Sequence, residues 1–324
     1  MFNWQPSASF ERLKERALFL KEIRRFFDER GVYEVDTPVL CQGVGTDPCL
    51  APFAVNIPAQ KSQWRYLQTS PEFSMKRLVA AGSGPIYYLG KAFRFGEIGS
   101  RHNPEFTMLE WYRPGWDHFR LIQEVDDLMQ GLLGTKPATV TTYADLFLYY
   151  FDIQPHFAPI SALQEISCNQ DWISKDNLPD LDKDGWLDLL MSHGIEPHLG
   201  QENPIVVTDY PASQASLAKT RTIEGPTSYQ VAERFEFYYK GIELTNGYHE
   251  LSCATEQAAR FAEDIAKRKA LGIVELPMDE YLLAALQVGF PPCAGVALGV
   301  DRLFMLKTGE KDIKKVIPFE WERA

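Results

Sequence analysis

The stretch "FRFGEIGSRHNPEFTMLEWY", residues 93–112, decides how the rest of the chain is read. It carries Arg94 and Glu97 at one end, breaks at a polar loop "GSRHN", and ends in "TMLEWY", a stretch of buried-strand character with Glu110 in its middle. Flanked by "PIYYLGKAF" before it, the pattern predicts two strands around a loop at 96–104, an antiparallel pair. Strand side chains alternate between faces, so Phe106, Met108, Glu110 and Tyr112 share one side. A buried ionised carboxylate there is costly unless it is paired or hydrogen-bonded. Two readings stay open from the residues alone: a structural ion pair with Arg113 or Arg94, or the wall of a polar pocket cut into the sheet.

Working outward, residues 11–30 place Leu13, Ala17, Leu20, Ile23 and Phe27 at helical steps, with Gly31 as a C-terminal cap. "VYEVDTPVL" continues as an extended segment. Ser70-Pro71-Glu72 has the form of a helix start, a serine cap followed by proline and an acid. Asp117 caps a helix carrying Leu121, Val125, Leu128 and Leu132. Residues 136–230 mix short apolar runs with Pro, Asp and Gly, and are read as an elaboration on one core spanning 1–324. "RFEFYYKGIELTNGYHEL" reads as strands, Thr255 starts a charged helix, and Asp279 caps another that ends at Gly289. "CAGVALGVDRLFML" is strand, glycine turn, helix. The strands come in hairpin-like groups, which predicts an α+β fold: a mostly antiparallel sheet flanked by helices.

The 324 residues carry a net charge of −11, which disfavours a broad nucleic-acid surface. The basic cluster "AKRKA" at 266–270 is expected on a solvated helix face. No apolar run approaches 18 residues, so no membrane partner is expected, and the N-terminus lacks the order of a secretory signal. Five scattered cysteines suit reduced thiols in a cytoplasmic protein. His118, His156, His193 and His198 are read as surface or satisfied core residues, while His102 and His249 lie beside the stretches of interest. Walker A and GxGxxG loops are absent, so a nucleotide site must be of another type.

Two further stretches carry chemistry. In "GIELTNGYHEL", Glu243, Asn246 and Glu250 could form a hard-oxygen site for Mg²⁺, or be incidental acids at a surface turn. In "GVALGVDRLFML", Gly295 and Gly299 would let a flat ligand approach the backbone, and Arg302 could stack on a base or meet a phosphate; tight helix–sheet packing explains the glycines equally well.

Together and in this order, the stretches resemble the three motifs of the class II aminoacyl-tRNA synthetases. "RGVYEVDTPVL" is similar to motif 1, "FRFGEIGSRHNPEFTMLEWY" to motif 2 and "GVALGVDRLFML" to motif 3. "SPEFSMKRLVAAG", "HNPEFTMLEWY" and "GIELTNGYHEL" resemble lysyl-tRNA synthetases in particular, over roughly residues 10–130 and 205–310. The chain begins almost directly at motif 1, leaving no room for an anticodon-binding barrel, so anticodon-type tRNA recognition is not expected. With "WQPSAS", "FTMLEWYRP" and "DYPASQASLA", it resembles the branch of truncated lysyl-tRNA synthetase paralogues that modify elongation factor P.

That resemblance implies an ATP-dependent, AMP-forming ligase. It would activate (R)-β-lysine or lysine as an adenylate and pass it to a lysine of elongation factor P. The alternatives are a tRNA-charging or free lysyl-adenylate enzyme, and a non-catalytic regulator on the same fold. By matching position, Arg94 and Arg302 are the catalytic arginines. ATP would meet Arg94, Glu97, Asn103, Phe106, Glu243, the Leu244 backbone, Gly299 and Arg302. Ser70, Pro71, Glu72, Tyr112, Asn246, Glu250 and Ala297 would line the amino-acid end. Glu243 and Glu250 would hold Mg²⁺, and motif 1 implies a homodimer. Two positions depart from the pattern. The motif 2 acid falls at Glu97 because Gly96 occupies its usual place, and Ala297 stands where lysyl-tRNA synthetases tend to have glycine. The extra methyl would narrow the pocket floor and favour a β-amino substrate.

Overall fold

The computed structural model describes residues 4–58 and 63–324. The elements run, in order, α1 (Phe10–Asp28), β1 (Tyr33–Glu34), β2 (Leu40–Cys41), β3 (Ala54–Ile57), β4 (Gln63–Leu67), α2 (Glu72–Ala80), β5 (Ile86–Phe93), β6 (Glu105–Pro114) and α3 (His118–Leu133). The middle of the chain adds β7 (Thr139–Thr142), α4 (Tyr143–Phe151), α5 (Ile160–Asn169), α6 (Lys183–Leu190), β8 (Ile205–Pro211) and β9 (Thr220–Ile223). It closes with β10 (Tyr229–Tyr239), β11 (Ile242–His249), α7 (Ala254–Ala270), α8 (Glu280–Val288), β12 (Cys293–Gly299) and α9 (Val300–Thr308).

Among the described residues the main sheet has nine strands, ordered β1-β5-β6-β12-β11-β10-β8-β7, with β9 pairing to β10. All its pairings are antiparallel except β1–β5 and β7–β8. This is the expected α+β architecture, with a small second sheet, β2-β4-β3, beside it. The order places the ends of the chain together at its centre: β6 lies between β5 and β12, and β12 between β6 and β11.

Alternation sorts the two faces. Leu109 and Trp111 of β6, Val296 and Leu298 of β12, and Phe235 and Phe237 of β10 form one buried core with Phe19, Ile23 and Phe27 of α1, Leu121, Val125 and Leu128 of α3, and Leu303 and Phe304 of α9. The alternate residues of β6, β12, β11 and β10 point to the other face. That face is closed at one end by α2, α7 and α8 through Phe73, Phe261 and Leu282. Residues 136–230 add β8 and β7 at the sheet edge, β9 beside β10, and a separate apolar cluster around Trp186, Phe147 and Tyr210.

Several local expectations are corrected. The buried stripe of α1 is Arg16, Phe19, Ile23 and Phe27, not the Leu13–Ala17–Leu20 register. Arg16 takes a core position because it is paired: it lies 2.6 Å from Asp301 and donates to Thr107 Oγ1 at 2.9 Å. Gly31 closes α1 as expected: it is left-handed at φ +63°, its N–H donates to Asp28 O and the Val32 N–H donates to Phe27 O. The N-cap of α2 is Pro71, although Ser70 Oγ still accepts the Glu72 N–H at 3.0 Å. Thr255 lies inside α7, whose N-cap is Cys253. In "AKRKA", Arg268 is buried and donates to the carbonyls of Asp47, Leu50 and Val274, anchoring a loop rather than facing solvent. Asp117 and Asp279 cap their helices as expected.

Candidate active site

The register of the central strands builds a polar floor one row at a time. Across the sheet, Tyr88 pairs with Glu110, Glu110 with Ala297, Ala297 with Asn246, and Asn246 with Glu236. Two residues along, the row is Ile86, Tyr112, Gly295, Tyr248 and Arg234. Directly paired residues point to the same face, and the β6, β12, β11 and β10 members of these rows line a cavity of about 790 Å³. Gly295 is required there by close approach. A Cβ would stand 2.4 Å from the Tyr112 ring and 2.5 Å from Glu250 Oε1.

Glu243 reaches this face through an irregularity. Phe237 pairs with Thr245 but Tyr238 pairs with Glu243, leaving Leu244 as an extra residue. Without this bulge Glu243 would sit on the opposite face from Asn246 and Tyr248.

At one end of the cavity the buried charges are grouped. Lys76 of α2 lies 2.7 Å from Glu72 and 2.5 Å from Glu250, and both Lys76 and Glu250 are 1% exposed. Burial works against the Lys76 charge, but the Glu250 and Glu72 carboxylates outweigh it and hold the ammonium above its ordinary value. Among the described residues Glu110 has no cationic partner. It accepts Ser70 Oγ–H at 2.7 Å and Tyr112 O–H at 2.8 Å. Burial, then the Glu72 charge, push its pKa up to about 8, against the pull of those two hydrogen bonds. Burial likewise raises Glu250 to about 7, with Lys76 opposing. Neither arginine considered for Glu110 pairs with it: Arg113 pairs with Glu124, and Arg94 lies 3.6 Å from Glu97. Three carboxyls therefore face one ammonium around a polar hollow, an arrangement suited to a ligand with further positive charge.

The other end is a narrower pocket of about 80 Å³ that shares Arg94, Met108, Glu243, Asn246 and Ala297 with the first. It is lined by all eight residues assigned to ATP: Arg94, Glu97, Asn103, Phe106, Glu243, Leu244, Gly299 and Arg302. Arg94 lies over the Phe106 ring, 5.1 Å from its centroid. Arg302 donates to the Glu243 carbonyl at 2.9 Å and contacts His102 Nε2. Burial and the Arg302 charge lower the His102 pKa, so its neutral ring accepts from the guanidinium. Asn103 is partly committed, donating to Glu105 O and accepting from Trp321 N–H. Gly96 has φ +84°. An acid would be strained there, which accounts for the acid standing one residue later, at Glu97.

Of the amino-acid-end residues, Ser70, Glu72, Tyr112, Asn246, Glu250 and Ala297 line the larger cavity. Pro71 does not, and serves as the cap of α2. Glu243 and Glu250, the two acids expected to hold Mg²⁺, both line the larger cavity, and Glu250 is paired with Lys76. The acid whose charge acts on Glu243 is Glu236. After burial, it is the largest influence raising the Glu243 pKa. Glu236, Arg234, Lys76 and Tyr248 were missed from the sequence. Lys76 had a signal, four residues after Glu72 on one helix, and Arg234 and Glu236 alternate with apolar Phe235 and Phe237.

The family profile of the class II tRNA synthetases (D, K and N) matches residues 3–323. The chain belongs to the class II aminoacyl-tRNA synthetase family. Within that family it is similar to proteins named elongation factor P–(R)-β-lysine ligase. The relative from Edwardsiella ictaluri (strain 93-146) is 49% identical over 100% of this chain and 99% of its own length. Those from Klebsiella pneumoniae (strain 342) and Salmonella typhi are each 49% identical over 99% of this chain and 98% of theirs. The synthetase motifs thus meet in one continuous cleft, with arginines at one end and acids at the other.

Proposed function

We propose that this chain is an ATP-dependent ligase that activates (R)-β-lysine as an aminoacyl-adenylate and transfers it to a lysine ε-amino group of elongation factor P. The observation that carries this is the two-ended cleft, in a chain 49% identical over its whole length to ligases of that name. Arg94, stacked on Phe106, and Arg302, at the start of α9, stand where a nucleotide's base and phosphates would lie. The Glu72–Glu110–Glu250 end takes the two ammonium groups of the amino acid, with Ala297 in the floor between Glu110 and Asn246.

In the first step the substrate carboxylate attacks the α-phosphorus of ATP, forming a C–O–P bond as pyrophosphate leaves. Arg94 and Arg302 meet the charge that builds on the phosphate oxygens, fixed in place before reaction by Phe106, His102 and the Glu243 carbonyl. In the second, the acceptor amine attacks the acyl carbon, AMP leaves with the bonding pair, and the amine proton passes to solvent. Orientation in the cleft supplies most of the help there.

Mg²⁺ would be held by the hard oxygen donors Glu243 and Glu250, both facing the cleft, and the repulsion that raises Glu243 is what a cation relieves; Glu236 is engaged by Arg234, Tyr210 and Tyr238. When bound, it would neutralise phosphate charge. We further assign a homodimer and a cytoplasmic location. Among the described residues no helix is long and apolar enough to cross a membrane. Sedimentation at micromolar concentration tests the dimer. Amino-acid-dependent ATP–pyrophosphate exchange, compared across lysine isomers, tests the activation step.

A further inference from the structure

On the face of the sheet opposite the cleft, where β6 ends and α3 begins, three side chains converge that neither step uses. His118 is the first residue of α3, Glu233 lies on β10 and His249 ends β11. One ligand atom from each lies within 4.8 Å of the others. His249 Nδ1 meets Glu233 Oε2 at 2.5 Å, and the two imidazoles face one another with ring centroids 6.1 Å apart. His118 is 2% exposed, yet neither of its ring nitrogens has a hydrogen-bond partner among the described residues. Such a buried, unpartnered imidazole calls for an explanation. The expectation that His118 is a satisfied core residue is thereby overturned.

We propose that His118, Glu233 and His249 form a binding site for a borderline divalent transition ion of the Zn²⁺ or Co²⁺ kind, separate from any Mg²⁺ in the cleft. Two imidazoles and one carboxylate are a donor set for such ions, with a further position left for water. Mg²⁺ and Ca²⁺ prefer all-oxygen shells and are disfavoured. Opening the His249–Glu233 contact by under about 1 Å gives the spacing of two ligands each ~2 Å from one ion.

The surroundings also set a limit on affinity. Lys219 Nζ lies 3.4 Å from His249 Nε2, and Arg221 Nε lies 3.9 Å from Glu233 while its Nη2 is held by Asp209. Both cations oppose an incoming ion. Lys219 is half-buried and can swing away, so the site is one in which a lysine competes with a metal. Occupied, it would tie the start of α3 to β10 and β11, next to Glu250, which follows His249 in the chain.

The test is titration of metal-free full-length protein with Zn²⁺ by calorimetry and with Co²⁺ by its visible ligand-field bands, with thermal melting as a second readout. One ion should bind, with intensified Co²⁺ bands and a raised melting temperature. Both effects should weaken at least about tenfold in His118→Ala and Glu233→Gln. Lys219→Met should bind more tightly than the parent, an outcome that loss of folding cannot mimic. Unchanged binding in both ligand variants, or binding in Lys219→Met no tighter than in the parent, would overturn the site.

Discussion

Replacing Glu110 by glutamine isolates the contribution of one buried acid. The amide keeps the shape and can still accept from Tyr112, but it cannot ionise. In the parent, Glu110 is 2% exposed and titrates at about 8, against an ordinary value of 4.5. Its folded-state pKa is raised, so the folded protein binds the proton more tightly than the unfolded chain. Stability therefore falls as pH rises from 4.5 to about 8, and levels off above that. The difference amounts to on the order of 4 kcal/mol at and above pH 8, and vanishes below pH 4.5. Glu110→Gln should thus be more stable than the parent at pH 8.5 and equal to it at pH 4. Denaturant unfolding across that range measures the gap. The same variant should lose roughly 100-fold or more in amino-acid-dependent exchange, because a buried ammonium is left without its anion. Parent and variant curves that run parallel from pH 4.5 to 8.5 would refute the assignment of Glu110 as a destabilising acid retained for ligand binding.

Other outcomes follow from the same geometry. Binding of a diammonium substrate should tighten between pH 6.5 and 8 as Glu250, near 7, and Glu110, near 8, give up protons, with proton release visible by calorimetry in two buffers; a pH-independent affinity would contradict this. Arg94→Ala and Arg302→Ala should each lower the exchange rate by about 10²–10³, while amino-acid affinity measured without ATP stays unchanged. Gly295→Ala forces a methyl to within 2.4 Å of Tyr112, and should cost ~1–3 kcal/mol in stability and raise the amino-acid KM. Chelation should abolish exchange, and Glu243→Gln should raise the Mg²⁺ concentration needed to restore it.

Much of the framework was legible because local signals and the global fold agree. The alternation in "EFTMLEWY", the caps Asp117 and Asp279, and the strand–glycine–helix form of "GVALGVDRLFML" each sit where local rules place them. What the sequence could not give was pairing at long range. Arg16 breaks the apolar stripe of α1 because its partner Asp301 lies 285 residues away. The two acids of "GIELTNGYHEL" reach the same face only through a bulge that no local pattern announces. Glu236 is close to Glu243 only through the β10–β11 register. His118, Glu233 and His249 come from three elements, and no spacing in the sequence announces them.

The most direct test is ATP–pyrophosphate exchange by the purified chain with (R)-β-lysine and no tRNA, followed by mass measurement of elongation factor P incubated with the same mixture. Exchange that depends on β-lysine, and a gain on the acceptor of one lysyl group, are the predicted results. Absence of exchange with every lysine isomer, in protein that is folded and supplied with Mg²⁺, would contradict the proposed activity.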